Sequence, residues 1–148
     1  RGAQPGRGSM SGEALERNKD LVRRSIDVLW NEGQVERAGE FLHASVRRHH
    51  ERNPDADLHG LDAVMATLAE LRAGAPDSRL EVVRLFAEAD RVMVYLSGEG
   101  TDAGGTVLRF TITITAIVRI ADGLIAEIWL IADTLGLLQQ SGAVRRFG

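Results

Sequence analysis

Residues 106–132 read TVLRFTITITAIVRI, then ADG, then LIAEIWLIA, and this run limits the possible folds more than any other part of the chain. β-Branched residues dominate both halves and a short turn with a glycine separates them, which describes two antiparallel strands joined tightly. Two similar segments precede it, LEVVRLFAE at 80–88 and RVMVYLSG at 91–98, with a turn at Glu88 to Asp90 between them and a Gly-rich loop, EGTDAGG, at 99–105. Four such strands in succession predict an antiparallel meander. In the last strand both alternating faces are largely apolar, with Ile128, Leu130 and Ala132 on one and Ile125, Trp129 and Ile131 on the other. A half-solvated sheet has a polar face instead. One face is therefore predicted to cover a cavity and the other to meet a second subunit in a two-fold homodimer, with a filled monomeric core as the alternative.

Helices are predicted ahead of the strands. Leu15, Val22, Ile26 and Leu29 recur at helical spacing through residues 11–30, with Arg17, Lys19, Asp20, Arg23 and Arg24 on the other side. NEG at 31–33 supplies Gly33 to end that helix in a left-handed conformation, and Val35, Ala38, Phe41 and Leu42 mark a shorter second helix. After the polar loop HHERNPDADLHG at 49–60, Leu61, Val64, Met65, Leu68 and Leu71 outline a third helix that stops around Gly74, before Pro76. An amphipathic segment, TLGLLQQ, follows the last strand. Helices first and strands afterwards predict a single α+β domain over residues 11–142, with the helices packed on one face of a curved antiparallel sheet and a short C-terminal helix. The opening RGAQPGRGSM, residues 1–10, is read as a vector-derived tail ahead of Met10, and residues 143–148 as a frayed basic tail in which Phe147 is available to dock on a neighbour.

Composition removes several function classes. A formal net charge of -3 with 5% aromatic residues offers no basic surface set with stacking rings, so nucleic acid is not an expected partner. Without cysteine there is no disulfide, thiolate nucleophile or Cys-ligated metal, and the fold must hold by packing. Charges interrupt every apolar stretch before it reaches the length of a membrane span, and the N-terminus lacks a secretory segment, so no membrane partner and a cytoplasmic location are expected. His43, His49, His50 and His59 lie near Asp55 and Asp57, but adjacent histidines on a strand diverge and no paired helical spacing occurs, so no metal is predicted. RRHHER, at 47–52, is read as a solvated loop, with a phosphate or acyl-carrier contact as the alternative. The glycines at 98, 100, 104 and 105 fall between strands rather than between a strand and a helix, which excludes a nucleotide-binding fingerprint.

Three stretches together resemble the SnoaL-like polyketide cyclases: LWNEGQVERAGEFL followed by His43, APDSRLEVVRLFAEADRVMVYLSGEGT, and RIADGLIAEIWLIADTLGLLQQSG. The likeness spans Asn18 to Gly142 and rests on the order and spacing of short motifs. It implies the cone-shaped barrel shared with nuclear transport factor 2 and ketosteroid isomerase, a homodimer, a deep apolar pocket between sheet and helices, and no cofactor. The implied function is closure of a carbon ring in a polyketide intermediate, typically by an intramolecular aldol step. A pericyclic, Diels–Alder-type closure and a non-catalytic ligand-binding module are the alternatives within the same superfamily. In the family pattern a Trp and, four residues later, an acid/base Asp end the last strand, and these positions are Trp129 and Asp133 here. The pattern also has a pocket histidine after the second helix; His49 or His50 fills that place, and shared parity with Val46 selects His50. Two departures stand out: Asp102 occupies the place of a family histidine after GT, and the hairpin that borders the pocket mouth is shorter.

If Trp129 lines the pocket, strand alternation puts Ile125, Glu127, Ile131 and Asp133 on the same side. A carboxylate among apolar neighbours is a stronger base than a solvated one, which suits the proton removal that starts an aldol closure. Asp133 is equally well placed to cap the helix that follows it. Glu127 is either a second pocket carboxylate or, preferably, the partner of Arg119 on the neighbouring strand. Trp30, Phe86, Tyr95, Phe110 and Trp129 are the candidate substrate-binding surfaces. Met93 and Tyr95 share the face opposite Val92, Val94 and Leu96; Tyr95 is a candidate donor to a substrate carbonyl, or else an interface or core residue.

Overall fold

A computed structural model describes residues 11–50, 52–102 and 108–145. The opening tail, the tip of the shortened hairpin at 103–107 and the end of the basic tail with Phe147 lie outside the described residues.

Helix α1 (Gly12–Ser25) begins where the Ser11 hydroxyl accepts a hydrogen bond from the Ala14 N–H at 3.2 Å, and it buries Val22 against the sheet. The predicted helix does not run on regularly to Trp30. Its last stretch, Ile26–Asn31, widens into a π-helical turn, and the chain then reverses through Gly33 at φ 70°. This widening brings Asn31 to the edge of the sheet. Its side-chain amide donates to the Leu80 carbonyl at 2.9 Å, and its side-chain oxygen accepts from the Leu80 N–H at 2.8 Å. Asn31 thus satisfies both backbone groups of an edge residue, as a neighbouring strand would, and pins the helix over one face of the sheet.

The second predicted helix is a 3-10 segment, Val35–Glu40, that buries Ala38 completely. It stops before Leu42, because Leu42 opens a strand absent from the sequence reading, β1 (Leu42–His49). That strand pairs parallel to the last strand of the sheet, and a two-residue strand, β2 (Leu58–His59), flanks it within the polar loop. Helix α2 (Leu61–Gly74) ends ahead of Pro76, as the sequence predicts. The meander follows as β3 (Arg79–Glu88), β4 (Arg91–Asp102), β5 (Leu108–Ala121) and β6 (Leu124–Ala132), and α3 (Thr134–Gln140) comes after it. β4 continues past Ser97, so Glu99 and Gly100 pair with Thr111 and Phe110 where a loop is predicted. The β5–β6 connection turns at Asp122 and Gly123, both with positive φ (52° and 73°), which is the pattern of a tight right-twisted hairpin.

The six strands form one curved sheet in the order β2-β1-β6-β5-β4-β3, open at β2 and β3. With the helices on its inner face the domain is α+β. Alternation is clean in β4, where Val92, Val94, Leu96 and Gly98 are buried and Arg91, Met93, Tyr95 and Ser97 are exposed. It breaks where pairings slip: the β1–β6 register shifts between Leu42 and Arg47. The β3–β4 register shifts between Val82 and Arg84, and the β5–β6 register shifts where Arg119 pairs with Glu127 but Ile120 pairs with Ile125. The extra residue in β6, Ala126, is a bulge that inverts the facing of everything after it. Ile125 therefore lies with the core, and Glu127, Trp129 and Ile131 turn to the outer face, which corrects the expectation that all four share one side.

Candidate functional site

Between the helices and the inner face of the sheet lies a cavity of about 460 Å³. β5 supplies Phe110, Ile112, Ile114, Ala116 and Val118; β6 supplies Ile128, Leu130 and Ala132. Val22, Leu29 and Trp30 close it from the first helix and its π turn, and Val64 and Leu68 from α2. Small residues shape the sheet side. A Cβ on Gly98 would stand 2.8 Å from Ile112 Cγ2 and 2.9 Å from Leu80 Cδ2, so only glycine lets those two side chains lean over β4. A Cβ on Gly100 would stand 3.0 Å from Phe110 Cζ and 2.9 Å from Ser78 Cβ, so the glycine admits the aromatic ring beside the serine. A wider groove of about 550 Å³ beside α1 is lined by Arg23, Asp27, Arg79 and Glu81, and its charged walls do not suit an apolar ligand.

Few polar groups interrupt the carbon wall. Ser25 is satisfied, its hydroxyl donating to the Val22 carbonyl at 2.7 Å. Trp30 Nε1 and Ser78 Oγ are buried without a hydrogen-bond partner among the described residues, and both side chains belong to the cavity wall. Buried polar atoms are nearly always paired, so two orphans on one cavity mark positions where a ligand oxygen would be welcomed. Arg79 and Glu99 also line the cavity, Glu99 accepting from Arg109 at 3.2 Å, and so does Arg48. Its half-buried guanidinium lines the cavity and has no hydrogen-bond or ion-pair partner among the described residues, and burial holds its pKa below the ordinary arginine value. The sequence reading passed over Arg48. Its signal was the parity with Val46, a core residue: a charge two positions along a strand from a buried valine faces the same interior.

Of the five predicted binding aromatics, Trp30 and Phe110 line the cavity. Phe86, Tyr95 and Trp129 do not. Phe86 and Tyr95 are 61% and 38% exposed on the outer face, where the shifted β3 register and the regular alternation of β4 put them. Trp129 is carried there by the Ala126 bulge.

Trp129 belongs to an outer-face cluster. The His49 ring stacks on its indole with centroids 4.8 Å apart, and the Arg91 guanidinium lies 5.4 Å from the same ring system. His49 Nε2 is 2.7 Å from Glu127 Oε2, and its Nδ1 is 3.2 Å from Asp57 Oδ2. Arg119 donates through Nε to Glu127 Oε1 at 2.7 Å, the pairing preferred from the sequence. The His49 and Arg119 hydrogen bonds hold the Glu127 carboxyl below the usual carboxylate range. Asp57 is lowered as well, first by the His50 backbone N–H that it accepts at 2.7 Å. The His50 side chain itself is exposed, its Nδ1 accepting from the Asn53 N–H at 3.2 Å, and it does not reach the cavity.

Asp133 stands at the rim. Ala132 and Thr134, on either side of it, both line the cavity, while its own carboxylate is exposed. Asp133 Oδ1 accepts the Gly136 N–H at 2.9 Å and so caps α3. The desolvated setting anticipated for this carboxylate is not what surrounds it. Asp102, at the position where the family pattern has histidine, is exposed at the end of β4 and is not part of the cavity wall. Among the described residues no cluster of three or more His, Asp and Glu side chains is arranged to hold a metal ion, and no helix is long and apolar enough to cross a membrane.

Residues 20–141 match the family model described as SnoaL-like polyketide cyclase. No curated protein matches the chain. Among solved structures, a protein assigned as a SnoaL-like polyketide cyclase from Jannaschia sp. CCS1 superposes with a TM-score of 0.79 at 21% identity, covering 93% of this chain and 99% of that one. TsrD from Streptomyces laurentii gives 0.75 at 26% identity, covering 91% and 99%. IdmH from Streptomyces antibioticus, also assigned as a polyketide cyclase, gives 0.74 at 22% identity, covering 84% and 98%.

Proposed function

Because the chain belongs to the SnoaL-like polyketide cyclase family, we propose that it binds a polyketide intermediate in the inner cavity and closes a carbon ring within it. The observation that supports this most directly is the largely apolar cavity of about 460 Å³, open at its rim and interrupted by only a few polar side chains. A flexible chain carrying several carbonyls has many ways to cyclise. Confinement against Phe110, Trp30 and Leu130 removes most of them and supplies rate by removing conformational entropy before the reaction.

In the aldol form, a base takes a proton from a carbon next to a carbonyl. The resulting enolate carbon attacks a second carbonyl carbon of the same molecule, one C–C bond forms, and the alkoxide takes a proton back. Asp133 at the rim is the proton acceptor and donor in this reading, since His50 lies outside the cavity. One C–C bond forms as a C=O π bond becomes an alkoxide, the proton removed is matched by the one returned, and no redox cofactor is required. Shape-driven pericyclic closure is the second reading, favoured by the exposure of Asp133 and its engagement as a helix cap. The working unit is a homodimer joined through the outer face, where Phe86, Met93, Tyr95, Ile117 and Ile131 lie exposed together.

The test is conversion of linear polyketides of graded length, followed by chromatography because cyclisation leaves the mass unchanged. Faster formation of one regioisomer by the wild-type chain, abolished by a bulky substitution in the cavity wall, is the expected result. Binding without any acceleration would leave a ligand-binding module instead.

A further inference from the structure

We infer that Arg48 sets the specificity of the cavity by binding a delocalised oxyanion of the ligand, a carboxylate or the enolate of a 1,3-dicarbonyl, so that the substrate lies with its acidic end toward β1. This rests on the cavity being the ligand site, as proposed above, and adds the chemistry of the ligand.

The neighbours of Arg48 make the case. On the outer side of β1, Arg47 and His49 face the carboxylates of Asp57 and Glu127, with Arg47 3.7 Å from Asp57 Oδ2 and His49 2.7 Å from Glu127 Oε2. Charges on that face are balanced locally. Arg48, between them in sequence, points to the other face, where Ile128 is its neighbour across the strand pair; among the described residues no carboxylate pairs with it, and Glu99, the carboxylate on the cavity wall, pairs with Arg109 at 3.2 Å. Holding an unpaired cation partly out of water costs stability, and a leucine or methionine would line an apolar pocket without that cost. A guanidinium in such a setting gains more from an anion than an exposed one does, because neither water nor salt screens the pair fully. Its planar fork matches two oxygens sharing one charge, which both a carboxylate and a 1,3-dicarbonyl enolate present. Trp30 Nε1 and Ser78 Oγ, the unpaired groups on the same wall, suit neutral carbonyl oxygens elsewhere on the ligand.

The test is calorimetric titration of the full chain with anthraquinone-2-carboxylate and with its methyl ester, together with absorbance titration of dibenzoylmethane, whose enolate has its own band. Wild-type protein is expected to bind the acid about tenfold more tightly than the ester. Arg48→Met should remove that preference and leave ester affinity within about twofold, while Arg48→Lys keeps part of it. A wild-type enolate band at lower pH than in Arg48→Met identifies the 1,3-dicarbonyl as a source of the oxyanion; selection of the acid alone identifies the carboxylate. Equal affinity of wild type for acid and ester, together with a dibenzoylmethane enolate band at the same pH with and without protein, overturns the inference and needs no variant to fold, as does an unchanged preference and enolate band in Arg48→Met. Because these are binding readouts, discrimination through Arg48 without polyketide turnover would count against the cyclase reading and leave this one standing.

Discussion

The Asp133 carboxylate and the Gly136 amide are joined by a 2.9 Å hydrogen bond that begins α3, and a Cβ at Gly136 would collide with that carboxylate. One side chain thus stands at the cavity rim, holds a helix end, and is the proton-transfer candidate. Asparagine caps about as well as aspartate, so Asp133→Asn should leave the melting temperature nearly unchanged, whereas Asp133→Ala should cost about 1 kcal/mol. If Asp133 moves the proton, Asp133→Asn lowers turnover about 100-fold or more. Full activity in that variant would favour shape-driven closure. Gly136→Ala should displace the Asp133 cap while gaining about 1 kcal/mol of helix propensity, so its melting temperature should change less than that of Asp133→Ala.

Ala116 is buried on the cavity wall, so Ala116→Leu extends a side chain into open space. Overpacking a filled core costs about 1–3 kcal/mol, and this substitution should cost less than about 1 kcal/mol in thermal or urea unfolding. Ligand affinity should nevertheless fall about tenfold, because the added group occupies the substrate's volume. A large loss of stability would mean that the wall has no room.

Glu127 has its pKa lowered by His49 and Arg119, so its ionised form is favoured by folding. The sign follows from linkage: this contribution is present above the unfolded carboxyl value of about 4.5 and is lost as pH falls from there through the lower folded value. Wild-type stability should therefore decline below about pH 4.5, and Glu127→Gln should flatten that part of the profile. At neutral pH the substitution should cost about 1–2 kcal/mol, since it weakens the hydrogen bonds of both partners. An identical acid limb in the variant, measured by urea unfolding between pH 3 and 7, would assign the acid sensitivity to other groups.

Ile117 and Ile131, 40% and 54% exposed, lie on the outer face with Phe86, Met93 and Tyr95. Sedimentation of the wild type is expected to give a dimer, and Ile117→Lys or Ile131→Glu a monomer, because a charge buried in an apolar interface lacks a partner. A monomeric wild type at micromolar concentration would remove the dimer from the proposed function.

The strands of the meander could be read from the chain because each pairs with its neighbour in sequence, so β-branched runs and turn residues carry the information locally. β1 could not. Its residues, HASVRRH after Leu42, have weak strand character, and it is held by pairing with β6, which is distant along the chain. Arg48 falls in the segment read as a solvated loop, and the parity with Val46 that selects His50 applies to it equally.

Among the candidate site residues, Trp30 and Phe110 line the cavity, whereas Phe86 and Trp129 lie on the outer face, each beyond a register shift that only the pairing with a neighbouring strand reveals. Tyr95 sits in regular alternation and stayed undecided for another reason: both faces of the sheet are apolar, so hydrophobicity alone does not say which one turns inward.

The amino-acid sequence by itself determined the helices α1 and α2, a four-stranded meander, a sheet with two apolar faces and an acid at the start of the last helix. These are consequences of periodicity, turn chemistry and capping, which act over a few residues. Only the tertiary structure decided which face holds the cavity and which side chains enter it, and it left Arg48 there without a partner among the described residues. The physical reason is that strand alternation has a period of two, so one extra residue at Ala126 reverses every later side chain, and the pairing with β5 fixes where that residue goes.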